Sequence, residues 1–548
     1  MTSFEQTLRH ADAERQETIE KLIELFGLSD GTLSLEQEVE ATLSKLAYEF
    51  LRDSRASTDI ELAELTRAFS DSRIPVDSTQ IDSYINSISA NLIAHSNNTA
   101  SPRYIGHMTS ALPYFVRPLS KLVTAINQNP VKMETSKSFS PHERQVIAMM
   151  HRLLFDFPEE FYDLHMHRNE STLGMMTSGG TEANMAALWC ARNHKLGPEP
   201  GFEGVSREGI NATLKHYGYD GAVIIGSELI HYSFDKAGDV LGIGGRNVVR
   251  VALDSENRIK LDELRRVVKN CRERNQCVLA IIGVAGSTDC GAVDPLGQMA
   301  VIANEFGIHF HVDAAWGGAL LFSKSHRDIL AGIEKADTVT IDGHKQLYLP
   351  MGTGMLLIRN PEMAKVVEKK AHYVIRPGSQ DLGKRTWSGS RPAIVLFFHA
   401  ALNVIGRRGY ELLVDEGIRK AKYLADAVER RPEFELLARP QMNILTYRFI
   451  PQRLRAKAIS GQLSDDENLL INNVNERLQK VQRQAGKSFV SRTTSSNTRY
   501  GVHLPIVGLR AVLANPLTTQ ADIDAVLLDQ LSIGERLSDS PSGIGELL

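Results

Sequence analysis

Between residues 173 and 359 the sequence alternates short apolar runs with segments of helical periodicity, and this alternation restricts the fold more than any other feature. The runs fall at 222–225, 277–284, 309–312, 338–341 and 354–358. Short, almost uniformly apolar strands separated by helices predict an α/β fold with a mainly parallel sheet covered on both faces. In such sheets ligands collect beyond the carboxyl ends of the strands. Residues that end a run or open the next helix are therefore the first candidates for function.

The flanks read differently. Residues 17–25 and 35–51 carry apolar positions at three- and four-residue intervals, which predicts a helical N-terminal segment over 1–100. Beyond the sheet region, 378–392 is rich in Gly, Ser, Arg and Lys and reads as a loop. A long helix is predicted at 394–405, then strand patterns at 443–449 and 502–513 with helices at 469–484 and 521–531. These boundaries divide the chain into a large domain over 101–395 and a small C-terminal α/β domain over 396–548.

Composition excludes some classes of function. The 548 residues are 42% hydrophobic and 23% charged, a globular balance, and the formal charge of −4 gives no reason to expect nucleic acid or an anionic membrane as partner. The N-terminus has no basic flank followed by an apolar core, and the apolar stretch at 277–285 is far short of the roughly 20 residues that cross a bilayer. Cys190, Cys271, Cys277 and Cys290 show no C-x-x-C spacing and fit reduced thiols. A cytoplasmic protein is expected.

The chemistry centres on Lys345, which follows the 338–341 run beside His344. A buried ammonium there is costly unless paired or neutralised. An imine with an aldehyde cofactor, pyridoxal phosphate, supplies a reason for it, because desolvation makes the amine a usable nucleophile. A solvated lysine at a strand end is the plainer alternative, and Asp313 weighs against it. Keeping a pyridine nitrogen protonated means raising its pKa by a few units, each worth about 1.4 kcal/mol. A carboxylate at ~4 Å supplies on the order of 4 kcal/mol at an effective dielectric near 20. Ala314 and Ala315 are small, as a residue lying under an aromatic ring must be.

Three further segments join these two residues. Thr177-Ser178-Gly179-Gly180-Thr181-Glu182-Ala183-Asn184 opens a predicted helix with glycines and hydroxyls, which suits a phosphate, although simple helix capping would also explain it. His231 can stack on the open face of the ring, and Ser287 can contact the ring hydroxyl or the phosphate; a surface histidine and a turn serine are the alternatives. His309, His311 and Asp313 alternate along one strand face and could hold a metal, but that reading leaves the His344–Lys345 pair and the glycine turn unexplained. No metal is expected.

Taken in order, the 177–184 segment, His231, His-Val-Asp-Ala-Ala-Trp at 311–316 and Asp-Gly-His-Lys at 342–345 resemble the group II pyridoxal-phosphate-dependent amino-acid decarboxylases. The resemblance covers about residues 100–530 and implies the fold type I, aminotransferase-like architecture. It implies that Lys345 bonds the cofactor aldehyde and that Asp313 pairs with the ring nitrogen. Ala315 and His231 would cover the two ring faces, and Gly180 and Thr181 would bind the phosphate. His344 would lie beside the Lys345 linkage. Asp342 stands where relatives often place Ser or Asn near the phosphate, which suggests a water or cation between them. Tyr373 falls where relatives carry a catalytic tyrosine.

The resemblance also bears on substrate. Residues 101–107 are similar to the active-site entry of glutamate decarboxylases, with His107 where those enzymes commonly carry a Gln that contacts the substrate carboxylate. Arg391 resembles an arginine that clamps a carboxylate in relatives with acidic substrates. The reaction expected is α-decarboxylation of L-aspartate to β-alanine, a precursor of pantothenate and coenzyme A. The alternative is L-glutamate to γ-aminobutyrate. Transamination, carbon–carbon lyase chemistry and a non-catalytic scaffold are the more distant readings. A homodimer is expected.

Overall fold

The computed structural model describes residues 20, 22–27, 29–76, 78–369, 380–495, 499–500 and 504–539. Seven strands form the central sheet: β1 (Gly174–Thr177), β2 (Gly221–Ser227), β3 (Val248–Val251), β4 (Gln276–Val284), β5 (His309–Asp313), β6 (Thr338–Asp342) and β7 (Gly354–Ile358). Their order is β1-β7-β6-β5-β4-β2-β3. Neighbours from β6 to β3 pair in parallel and β7 is antiparallel to both β6 and β1, so β7 runs against the other six.

All five predicted runs are strands, lengthened by a residue or more except at 354–358. β4 shows why: Val278, Ile281, Ile282 and Val284 are β-branched and fully enclosed by helices on both faces. The members outside those runs are β1 and β3, four-residue strands at the two edges of the sheet, too short for their patterns to separate from loops.

A second sheet, antiparallel throughout, follows: β8 (Phe434–Ala438), β9 (Ile444–Phe449), β10 (Ser491–Ser495) and β11 (Ile506–Val512), in the order β10-β11-β9-β8. The helix Asp465–Ala485 packs on it. That helix starts at a reciprocal cap, Glu467 N–H donating to Ser464 Oγ (3.3 Å) and Ser464 N–H to Glu467 Oε2 (3.0 Å), and stops at Gly486 with φ 69°. The segment around Ile105 is stitched to this sheet: Ile105 N–H donates to Phe489 O (2.9 Å) and its carbonyl accepts from Val512 N–H (2.6 Å). That carries residues 106–109 to the mouth of the central sheet.

Among the described residues, none of the 23 in the helix Asp30–Arg52 is buried. Among the described residues no helix is long and apolar enough to cross a membrane.

Candidate active site

Because β1, β2, β4, β5 and β6 run the same way, Thr177, Ser227, Val284, Asp313 and Asp342 end at one edge of the sheet. A cavity of about 430 Å³ opens there, within the roughly 300–1,000 Å³ usual for small-molecule sites. His107, Gly180, Thr181, His231, Ser287, Asp313, Ala315, Asp342, His344 and Lys345 all line it. The structure thus brings together residues that the sequence spreads over more than two hundred positions.

Asp313 ends β5 with both oxygens engaged: Oδ2 accepts from Asn184 Nδ2 (2.9 Å) and Oδ1 from Ala315 N–H (3.1 Å). Lys345 Nζ lies 3.0 Å from Asp342 Oδ2, and His344 Nε2 lies 3.6 Å from the same oxygen. His344 Nδ1 donates to Thr353 O at 2.9 Å. Two histidines share a local motif. His107 Nδ1 accepts from Thr109 N–H (3.2 Å) and meets Thr109 Oγ1 (2.9 Å), and His231 Nδ1 accepts from Ser233 N–H (3.3 Å) and meets Ser233 Oγ (2.9 Å). With Nδ1 an acceptor in both, the ring proton sits on Nε2. Burial pushes the pKa of each below the usual histidine value; at His107 the charges of Arg510, Lys345 and His344 add to the effect.

The sequence comparisons decide the family. The pyridoxal-dependent decarboxylase conserved domain matches residues 64–450. The chain belongs to this family. It is similar, at 44% identity over 94% of each chain, to an aspartate 1-decarboxylase of Aliivibrio fischeri. Similarity at 23% identity extends to an L-2,4-diaminobutyrate decarboxylase of Acinetobacter baumannii, covering 80% of this chain and 81% of that one. Among solved structures, mouse CSAD superposes with a TM-score of 0.81 at 23% identity, covering 93% of this chain and 100% of that one, a likeness of fold. The protein is a pyridoxal-phosphate-dependent amino-acid decarboxylase with the fold type I architecture.

The decarboxylase cavity fits that cofactor. Gly179 has φ +152°, unfavourable for other residues, and a Cβ there would come within 3.0 Å of His344 Cε1. At Gly180 a Cβ would approach Asp342 Oδ2 to 3.1 Å and Ala315 Cβ to 3.2 Å, so both glycines keep open the space where the helix Gly180–Lys195 begins. Asp342 Oδ1 is buried without a hydrogen-bond partner, an acceptor still to be satisfied.

One expected residue lies elsewhere. Arg391 is outside the cavity: Nη1 and Nη2 both donate to Glu143 (2.7 and 2.5 Å) in an ion pair whose side chains are 8% and 1% exposed. The structure therefore places Arg391 against Glu143 and off the cavity wall, with its Nε buried and unpartnered among the described residues. Tyr373 lies outside the described residues. His309 and His311 turn together onto Thr338 Oγ1 (2.8 and 2.9 Å), away from any shared ligand position with Asp313.

The structure adds Arg510, which the sequence reading missed. It lies on β11 and reaches from the small sheet into the cavity wall. Its three acceptors are neutral: Thr288 O (2.7 Å), Gly106 O (3.1 Å) and Ser491 Oγ (2.8 Å). Burial pushes its pKa below the ordinary arginine value. The signal was present as one charge inside the wholly buried run 506–512.

Proposed function

We propose that this decarboxylase acts on L-aspartate, releasing its α-carboxylate as carbon dioxide and forming β-alanine. Arg510 carries the reading: a buried cation on the cavity wall, hydrogen-bonded to neutral acceptors with only the Asp289 charge acting on it, suits an anionic ligand group. His107 beside it offers a neutral Nε2–H to a second carboxylate. An amino acid with two carboxylates uses both. The Aliivibrio fischeri relative, 44% identical over nearly the full length, supports aspartate rather than a longer or basic side chain.

The roles proposed for the site residues follow from their positions. The bound cofactor supplies the sink for the electron pair left when the α-carboxylate departs. Lys345 holds the cofactor by its aldehyde, and Asp313 keeps a proton on the ring nitrogen. Ala315 and His231 bound the two ring faces, while Gly180 and Thr181, at a helix N-terminus, take the phosphate. Ser287 reaches the ring hydroxyl or phosphate, and His344, anchored on Thr353 O, stands beside Lys345 with Asp342. Tyr373, on the resemblance alone, protonates Cα; its replacement by Phe should slow turnover or increase side products.

Incubating the cofactor-loaded protein with aspartate, glutamate, cysteine sulfinate and aromatic amino acids, and quantifying each amine and carbon dioxide, tests the assignment. β-Alanine formed faster than γ-aminobutyrate is the expected result. Preferential γ-aminobutyrate would replace aspartate by glutamate, and aromatic amines alone would remove the acidic substrate altogether.

The domain division at 101 and 396 and a homodimer belong to the same proposal. Supporting the dimer, the helix Asp30–Arg52 exposes Leu33, Leu43, Tyr48 and Leu51 to one side, an apolar surface left largely open by the other described residues. Light scattering should give twice the chain mass, and removal of residues 1–55 should lower it.

A further inference from the structure

We infer that His311 is a positioning residue that acts through Asn184 on Asp313 and His231, the groups proposed to hold the ring-nitrogen proton and to cover one ring face. This rests on the proposed placement of Asp313 and His231 against that ring.

The direction of every hydrogen bond in the network can be worked out from its two ends. A carboxylate only accepts, so Asn184 must turn its Nδ2 toward Asp313 Oδ2 (2.9 Å). The second hydrogen of that amide goes to Ser233 Oγ (3.1 Å). At the other end, His231 Nδ1 already accepts Ser233 N–H (3.3 Å), so the Ser233 hydroxyl donates to it as well (2.9 Å). One amide group therefore orients both the Asp313 carboxylate and the Ser233 hydroxyl that bonds His231.

Asn184 Oδ1 then faces the other way and needs donors. It meets His311 Nε2 at 3.0 Å and Thr340 Oγ1 at 2.7 Å. A hydroxyl can donate or accept, so Thr340 tolerates either orientation of the amide. His311, donating from Nε2, does not. Its Nδ1 accepts from Thr338 Oγ1 (2.9 Å), and that oxygen in turn accepts from His309 Nε2 (2.8 Å). His311 is fully enclosed, and burial pushes its pKa down to about 3, so it keeps one donor and one acceptor. The donors run in one sense from His309 through Thr338, His311 and Asn184 to Asp313 and, through Ser233, to His231. With His311 gone, a flipped Asn184 would set a carbonyl oxygen against the Asp313 carboxylate.

The test measures pyridoxal phosphate binding to cofactor-free protein by tryptophan fluorescence, with the visible absorbance of the loaded protein as a second readout. The variants are Asp313→Asn, His311→Phe, His311→Gln and Thr338→Val, each checked by circular dichroism. Loss of orientation at a charged acceptor should weaken cofactor binding about tenfold or more in His311→Phe and shift the absorbance band. His311→Gln, which keeps an N–H within reach of Asn184, should stay within about threefold of the parent, and Thr338→Val should fall between the two. If His311→Phe fails to fold, the contrast between His311→Gln and Thr338→Val decides. Unchanged affinity and spectrum in His311→Phe or Thr338→Val, or equal losses in His311→Phe and His311→Gln, would overturn the inference while Asp313→Asn stays impaired. Unimpaired binding by Asp313→Asn would instead remove the placement of Asp313, and the inference with it.

Discussion

Lys345 Nζ lies 3.0 Å from Asp342 Oδ2, and the two side chains are 19% and 2% exposed. Breaking a buried pair by removing one charge costs about 3–5 kcal/mol, and less where one partner opens onto a cavity. For Asp342→Asn we expect about 1–3 kcal/mol of destabilisation in the cofactor-free protein. The effect should shrink once the cofactor is bonded to Lys345, because the free ammonium that Asp342 neutralises is then absent. Denaturation curves with and without cofactor check this; equal losses in both forms would count against the pairing.

Arg510 makes a different prediction, one about substrate alone. Replacing it by Met removes a charge-assisted fork, so kcat/KM for aspartate should fall about a hundredfold or more, equivalent to at least ~2.7 kcal/mol. Arg510→Lys keeps the charge but not the fork and should lie between. Cofactor content should match the parent in both. Arg391→Met, by contrast, should lower stability through the stranded Glu143 carboxylate, with KM for aspartate little changed.

Gly354 begins β7 against the glycine turn. A Cβ there would stand 2.7 Å from Gly179 Cα and 2.9 Å from Asp342 Oδ1, and the first of these neighbours is backbone. Gly354→Ala should therefore push the turn out of place, costing about 1–3 kcal/mol of stability and weakening cofactor binding. Calorimetry with a cofactor titration measures both effects. An alanine variant with parental affinity would show that the turn has slack.

How much of this was legible in the sequence depends on distance along the chain. Asp313 and Asp342 stood out because each is a polar residue ending an apolar run, and a strand's carboxyl end is where such a fold places its ligand. The glycine turn and Lys345 were legible for the same local reason. Arg510 was not, since only the packing of the small sheet against residues 106 and 288 brings it to the cavity. The partner of Arg391 was not legible either, since an arginine after a loop gives no sign of Glu143 on a distant helix. Asn184 and His311 read as a helix residue and a strand residue; their joint role exists only where helix and sheet touch.

Acid should destabilise the fold through buried groups that do not line the cavity. His151, enclosed between Tyr162 Oη and Ile358 O (both 3.1 Å), and His311 are each pushed down to about 3 by burial. The unfolded chain takes up these protons near pH 6.5 and the folded chain does not. Their stabilising contribution is therefore present above that pH and lost as pH falls toward 3, at about 1.4 kcal/mol per pH unit for each. Asp294 works in the opposite sense. Burial pushes its carboxyl up to about 6, despite the N–H groups of Ile259 and Val284 at 2.8 and 2.9 Å. Between about pH 6 and 4 the folded state holds a proton there that the unfolded state has released, which offsets one histidine. These three groups together give a loss near 1.4 kcal/mol per pH unit over that window, steepening below pH 4. Asp294→Asn should remove the offset and roughly double the slope between pH 6 and 4, as read from urea midpoints. A slope unchanged by that substitution would mean Asp294 stays ionised in the folded protein.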